Sequence, residues 1–196
     1  MDILIKNALE DKIDEIIKRF DLNIKPEDKL KIIQLAYDDL YSYSVKDPSS
    51  NNDMLYVLET YSAYYAVLMY RVAHFYYENV SKLIGRKLSE YAKLKTGIEI
   101  HPAAKIGRNF VLDHGVGTVI GETTVIGDNC YILQSVILGS SKISNNSKGR
   151  RHPTIGNNVD IGGFVRIYGP VTIGNNVKIS PGAIIRNSIP DNTKVI

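Results

Sequence analysis

The stretch Ile155-Gly-Asn-Asn-Val-Asp-Ile161-Gly-Gly-Phe-Val-Arg-Ile167-Tyr-Gly-Pro-Val-Thr-Ile173-Gly-Asn-Asn-Val-Lys-Ile179-Ser-Pro-Gly-Ala-Ile-Ile185 places an isoleucine at every sixth position. A six-residue period matches neither the 3.6 of a helix face nor the 2.0 of a lone amphipathic strand. It matches a hexapeptide β-helix, in which each unit is one short strand and one turn, and three units close a triangular coil. The first residue of each unit then points at the coil axis. The same phase runs upstream through Ile100, Ile106 and Leu112, then through Ile120, Ile126, Ile132 and Leu138. Alternation along a strand also turns the residue two places earlier inward. Those positions hold Ala104, Thr124, Cys130, Val136, Val159, Val165, Val171, Val177 and Ala183, nearly all small or apolar. An ordinary β-sandwich would show irregular strand spacing instead.

The phase breaks twice. Leu112 and Ile120 are eight residues apart, and the extra residues fall in Asp113-His114-Gly115-Val116-Gly117. Leu138 and Ile155 are seventeen apart, with a polar loop over 139–153. Loops that leave a rigid stack are where binding and chemistry tend to sit. Two of the four histidines, His114 and His152, lie at these breaks.

Residues 1–96 read as helices. Ile3, Leu4, Ala8, Leu9, Ile13, Ile16, Ile17 and Phe20 give one apolar stripe, and Pro26 opens a second helix carrying Leu30, Ile33, Ala36, Tyr37 and Leu40. Asp47-Pro48-Ser-Ser-Asn-Asn52 reads as a turn. A long helical stretch is expected from about Asp53 to Lys95, with Gly85 a possible break and Gly97 the stop. Its tyrosines (Tyr56, Tyr61, Tyr64, Tyr65, Tyr70, Tyr76, Tyr77) are expected to form helix-packing core and subunit interface. The expected organisation is α+β: a helical domain over 1–96, then a β-helix over 97–196.

The 196 residues carry a formal net charge of +3, with no like-charge run that would suit a nucleic acid. The basic residues of the second half gather at Lys142, Lys148, Arg150 and Arg151 and at Lys178 and Arg186, a pattern suited to a phosphorylated small molecule. One cysteine excludes an internal disulfide and fits the cytoplasm. Cys130 falls at an inward position and reads as core. Asp2, Glu10 and Asp11 interrupt any signal-peptide layout, and no apolar run reaches membrane-spanning length.

Ile98-Glu-Ile-His-Pro-Ala-Ala-Lys-Ile-Gly-Arg108, Leu112-Asp-His-Gly-Val-Gly117, Ile120-Gly-Glu-Thr123 and Arg151-His-Pro-Thr-Ile-Gly156 together resemble the serine O-acetyltransferase family. Lys46-Asp-Pro48 and Tyr70-Arg-Val-Ala-His74 extend the resemblance into the helical half, over about residues 40–193. It implies a left-handed parallel β-helix assembled as a homotrimer or a dimer of trimers, with sites between neighbouring coils. It implies acetyl transfer from acetyl-coenzyme A to the hydroxyl of L-serine, on the way to cysteine, with no metal.

The resemblance also implies roles for residues. A serine hydroxyl needs a base as it attacks a thioester, and histidine suits that work near neutral pH. His114 matches the family base. Glu99 stands where the family carries the aspartate that orients it, and is one methylene longer. Asp47 and Asp113 match carboxylates that grip the serine ammonium or hydroxyl, and Arg151 and His152 match the basic pair near its carboxylate. Lys178, Gly139 and Ser140 are the implied coenzyme contacts, while Pro181 has no N–H to offer pantetheine. His101 is expected to be structural.

Other readings on this scaffold are a related O-acetyltransferase acting on a sugar, an amino-acid analogue or a biosynthetic intermediate, a zinc enzyme of the γ-carbonic-anhydrase kind, and a non-catalytic assembly protein. In many relatives a C-terminal tail ends in an isoleucine whose carboxylate enters O-acetylserine sulfhydrylase. Here only about seven residues follow the last full repeat, each spanning at most ~3.3–3.6 Å. A complex with the sulfhydrylase through Ile196 is therefore not expected.

Overall fold

Asp2 caps the first helix, its carboxylate accepting from the Leu4 and Ile5 N–H groups. That helix is α1 (Ile3–Arg19), followed by α2 (Pro26–Lys46) with its proline at the first position. A 3₁₀ turn over Pro48–Ser50 leads to α3 (Met54–Thr60), α4 (Ser62–Asn79) and α5 (Lys82–Thr96). Gly97, at φ 70°, closes α5. The structure is a computed structural model that describes residues 2–145 and 148–196, so Asn146 and Ser147 of the polar loop lie outside the described residues.

The long helical stretch expected over 53–95, with a break placed at Gly85, is three helices. The chain breaks at Tyr61 and again at Val80–Ser81, where the Ser81 hydroxyl caps α5 by accepting from the Ile84 N–H. Gly85 is not the break. It lies inside α5, and a Cβ there would stand 2.5 Å from the Tyr77 Cβ and 2.7 Å from the Ala73 carbonyl oxygen. The glycine lets α4 and α5 cross at close range. Tyr64, Tyr70 and Tyr76 are buried in the helical core, while Tyr56 is exposed.

The coil begins two residues after α5. Its first face holds β1 (Glu99–Ile100), β4 (Val119–Ile120), β7 (Ile137–Gly139), β10 (Arg166–Tyr168) and β13 (Ile184–Ile185). The second holds β2 (Lys105–Ile106), β5 (Val125–Ile126), β8 (Thr154–Ile155) and β11 (Thr172–Ile173). The third holds β3 (Val111–Leu112), β6 (Tyr131–Ile132), β9 (Asp160–Ile161), β12 (Lys178–Ile179) and β14 (Lys194–Val195). Every pairing between these strands is parallel and in register with the repeat, as in Ile100↔Ile120 and Ile132↔Ile161. The result is a left-handed parallel β-helix. The isoleucines of the repeat fill its axis, and Cys130 lies among them with its thiol pushed up to about 11 by burial.

The three corners differ in chemistry. Between the second and third faces, Asn109, Asn129, Asn158, Asn176 and Asn192 all adopt left-handed backbone. Asparagine tolerates that region better than most residues. Their side chains form a ladder along the axis, with donor–acceptor distances of 2.8–3.1 Å. This corner is structural. The other two bound the first face, and the two phase breaks fall on them.

The helices cap the open end of the coil. The first coil has no strand beside it, so its edge N–H and C=O groups need other partners. Tyr43 Oη accepts from the Leu112 N–H at 2.9 Å and donates to the Leu112 carbonyl at 2.8 Å. Tyr70 Oη does the same between Ile106 N–H and the Ala104 carbonyl. Arg71 donates to the carbonyls of Ile106 and Gly107 while paired with Asp39, and Asp39 accepts from the Phe110 N–H. The His74 ring bonds the Pro102 carbonyl. Tyr70-Arg-Val-Ala-His74 is thus an edge cap.

Arg71→Met is expected to leave Asp39 buried without its partner, at a cost of about 3–5 kcal/mol. At the few degrees per kcal/mol typical of a chain this long, Tm should fall by about 10 °C. Thermal denaturation followed by circular dichroism checks this. A Tm within about 2 °C of the parent would show that the cap contributes little.

Candidate active site

Asp113 and His114 follow β3 at the corner between the third and first faces. His114 has φ 57°, and at this corner Ser135, Phe164 and Gly182 of later coils are left-handed too. The turn is held by short bonds. The His114 N–H donates to Asp113 Oδ1 at 2.8 Å, and the Gly115 N–H donates to the Asp113 carbonyl at 2.6 Å. Gly115, at φ 71°, packs so close to Ile98 that a Cβ would lie 2.5 Å from its Cδ1. The His114 ring is thereby left 73% exposed, with Nε2 3.8 Å from Asp113 Oδ2.

The helical half supplies the facing wall. A cavity of about 440 Å³ is lined by Asp47, Tyr61, Ala63, Asp113 and His114 among others. Asp47 ends α2, and its Oδ1 accepts from the Ser49 N–H at 2.8 Å. The Tyr61 phenol donates to Asp47 Oδ2 at 2.6 Å, and the Tyr131 phenol donates to Asp113 Oδ2 at 2.7 Å. Burial would raise the Asp47 carboxyl, but the Tyr61 and Ser49 bonds win and hold it below the usual carboxylate range. Among the described residues neither carboxylate is paired with a lysine or arginine. Lys46 is not that cation, because its ammonium donates to the Asn129 carbonyl at 3.2 Å.

Arg151 and His152 sit at the other end of the first face, at the corner between the first and second. The polar loop brings them back onto Gly121-Glu122-Thr123 of the preceding coil. The Thr123 hydroxyl accepts from the N–H groups of Arg151 and His152. The Thr123 N–H donates to His152 Nδ1 at 3.1 Å, which leaves the ring proton on Nε2. The ring packs against Gly121, where a Cβ would stand 2.1 Å from His152 Cδ2. Glu122 accepts from the Arg151 guanidinium, and that bond holds its carboxyl below the usual range. His101 is at this corner one coil before Glu122 and two before His152, its Nδ1 accepting from the Ala103 N–H.

The sequence-derived site residues therefore fall into separate groups. Asp47, Asp113 and His114 share the cavity, and Arg151 and His152 occupy the neighbouring corner. Glu99 points outward on β1 and is bonded to Lys93 at 2.5 Å, with Arg86 at 3.8 Å. No bond between Glu99 and His114 is present among the described residues. Lys178 projects from the third face and pairs with Asp160 at 3.0 Å. Gly139 and Ser140 leave the first face at the end of β7, where Ser140 donates to the Lys142 carbonyl. Sequence reasoning gave no site role to Tyr61, Tyr131, Glu122 or Thr123. Glu122 and Thr123 had a visible signal, since they lie in the quoted Ile120-Gly-Glu-Thr123 at the corner where the basic pair returns.

The repeat half, residues 94–196, matches the family model described as the GMPPB C-terminal domain. Over 160 residues the chain is 41% identical to a serine acetyltransferase of Helicobacter pylori, spanning 79% of this chain and 91% of that one. It is 40% identical to a Synechococcus elongatus serine acetyltransferase over 77% of this chain and 60% of the relative. Among solved structures, serine acetyltransferase isoform 3 of Entamoeba histolytica in complex with cysteine matches with TM-score 0.79 at 38% identity, over 85% of this chain and 58% of that one. The Neisseria gonorrhoeae serine acetyltransferase in complex with serine matches with TM-score 0.79 at 33% identity, over 85% and 67%. The chain thus spans about 60% of the length of the cyanobacterial and amoebal relatives.

His101 and His152 carry a pH prediction. Burial lowers the pKa of both below that of a free imidazole, and nearby Arg86 and Arg151 add to it. The unfolded chain then binds more protons below about pH 6.5, so stability is complete above that pH and falls as pH drops through it. Tm should decline between pH 7 and 5.5, and His152→Gln should flatten that decline. An identical slope in the variant would remove His152 as a contributor.

Proposed function

The chain belongs to the serine acetyltransferase family, and we propose that it transfers the acetyl group of acetyl-coenzyme A to the hydroxyl of L-serine. The observation that carries this reading is the cavity with two carboxylates, neither paired with a lysine or arginine among the described residues, and an exposed histidine. Two uncompensated carboxylates call for a cationic ligand. A serine ammonium supplies that charge, whereas a sugar would leave both unmatched. The serine-bound and cysteine-bound relatives support the same ligand class.

In the proposed reaction, Asp47 and Asp113 hold the ammonium and direct the hydroxyl toward His114. The imidazole takes the hydroxyl proton as the oxygen attacks the thioester carbonyl. The carbon–sulfur bond then breaks, and the imidazolium returns the proton to the leaving thiolate. Glu99 orients the imidazole. Lys93 and Arg86 hold its longer side chain, so the carboxylate must exchange partners or act at a distance. Lys178, Gly139 and Ser140 contact the coenzyme.

The substrate carboxylate needs Arg151 and His152, which lie one coil side away from His114. At ~3.3 Å per residue, that side is roughly 15 Å long, more than a single amino acid spans. A neighbouring coil in a trimer supplies the basic pair. The reading accordingly includes a trimer or a dimer of trimers in the cytoplasm, with helices 1–96 forming part of the substrate site and 97–196 the transferase coil.

His114→Ala should lower kcat about a hundredfold or more with assembly intact. Near-parent turnover in a correctly assembled His114→Ala protein would sink the mechanism. Subunit mixing tests the shared site. His114→Ala and Arg151→Ala protomers should each be almost inactive alone. Refolded together in equal amounts, random threefold assembly should restore roughly a quarter of the sites. No recovery would mean that each protomer's site is self-contained.

A further inference from the structure

The two tyrosines at the cavity are a pair. Tyr61 occupies the break between α3 and α4, and Tyr131 projects from β6 directly beneath β3, in register with Val111. They come from different halves of the chain and do the same thing. Each phenol donates to the Oδ2 of one carboxylate, Tyr61 to Asp47 at 2.6 Å and Tyr131 to Asp113 at 2.7 Å. In both carboxylates Oδ1 is taken by a backbone N–H, from Ser49 and His114 respectively. Both oxygens of both groups are thus fixed.

We propose that Tyr61 and Tyr131 are positioning residues of this site, whose phenols fix Asp47 and Asp113 in the orientation that receives the ammonium of the acceptor. The inference rests on the serine reading and adds a pair of residues to it. Two carboxylates converging on one cavity repel each other, and each would relieve the strain by rotating away or taking up a proton. A phenol donor opposes both, because it bonds the ionised form and fixes the rotamer. Each carboxylate oxygen keeps lone-pair capacity beyond these bonds, so the ammonium can still be accepted. Tyr61 is itself braced by an edge-on contact with Tyr43 at 6.4 Å and with Tyr56 at 6.0 Å. The titratable groups around the pair are His114, Tyr43, Tyr56 and Asp160, together with the two phenols. Only His114 among them adds positive charge, and only when protonated.

The test uses Tyr61→Phe and Tyr131→Phe in the full-length assembled protein, each change removing one hydroxyl. Kinetics are measured with L-serine and with a hydroxy acid of the same size that lacks the amine. The KM for L-serine should rise about tenfold in each variant, the typical weight of a hydrogen bond to a charged group, while kcat changes by less than about threefold. Use of the amine-free acceptor should fall much less than use of L-serine, because it lacks the ammonium that the two carboxylates receive. An unaltered serine KM in both variants, or an equal loss with both acceptors, overturns the proposal. A second readout does not depend on turnover. With aspartate Cγ labelled by carbon-13, the Asp47 resonance in Tyr61→Phe should titrate at higher pH than in the parent. If the parent acetylates no serine, the reading of function falls, and the Asp47 titration still decides the role of Tyr61: an unmoved midpoint sinks it.

Discussion

A β-helix must begin somewhere, and its first coil presents a row of backbone groups with no next strand to bond. In this chain the helical half answers that constraint. Tyr43, Tyr70 and the Arg71–Asp39 pair satisfy the edge groups of Ala104, Ile106, Gly107, Phe110 and Leu112. The bonds are specific in direction: an arginine meets carbonyls, a carboxylate meets an N–H, and two phenols each serve one donor and one acceptor. An apolar cap could not do this, because it would bury the edge unsatisfied. The buried ion pair is tolerable for the same reason, since the coil supplies the further partners that burial of charge requires.

The cap also builds the chemistry. Docking α2 on the edge of β3 through Tyr43 places the end of α2 beside the residues that follow β3. Asp47 is four residues after Tyr43, and Asp113 and His114 directly follow Leu112. The Tyr43 bond to Leu112 therefore sets the distance between the two walls of the cavity. Stability and cavity geometry share one contact, so the helical half supplies one wall of the cavity as well as part of the core.

The coil was legible because its core is a one-dimensional code: every inward isoleucine repeats at a fixed interval, and no distant residue is needed to read it. The phase breaks were legible for the same reason, as departures from that interval, and they located His114, Arg151 and His152. What could not be read depends on contacts between distant segments. Tyr61 looks like any helical tyrosine until Asp47, fourteen residues earlier, is folded against it. Tyr131 occupies an ordinary outward position until Asp113 is stacked above it. The break at Val80–Ser81 carries no glycine or proline, whereas Gly85 suggested a break and instead serves a close helix crossing. The ion pairs that Glu99 makes in the fold, with Lys93 and Arg86, are set by the face that α5 turns toward β1 and could not be read from the motif that marks it as the proposed partner of His114.

The corner of the coil explains why the proposed base is where it is. A hexapeptide coil needs left-handed backbone at its turns, and most positions meet that need with asparagine or glycine. His114 takes the same conformation with a larger side chain, at a local cost of order 1 kcal/mol. Asp113 and Gly115 hold it there, through the carboxylate bond to the His114 N–H and the contact with Ile98. A left-handed residue at a corner throws its side chain away from the coil, into the space that a neighbouring subunit would enter. Arg151 and His152 stand at the far end of the first face without left-handed backbone, held there by Thr123, with the buried His152 ring packed on Gly121. A scaffold whose interior is filled by aliphatic side chains has no room for a site inside it. Its reactive groups have to stand at corners, and on the proposed arrangement a closed site forms only where two coils meet. Activity then depends on protomer concentration as assembly does, and substitutions that weaken the coil-to-coil contact act on turnover without touching a site residue.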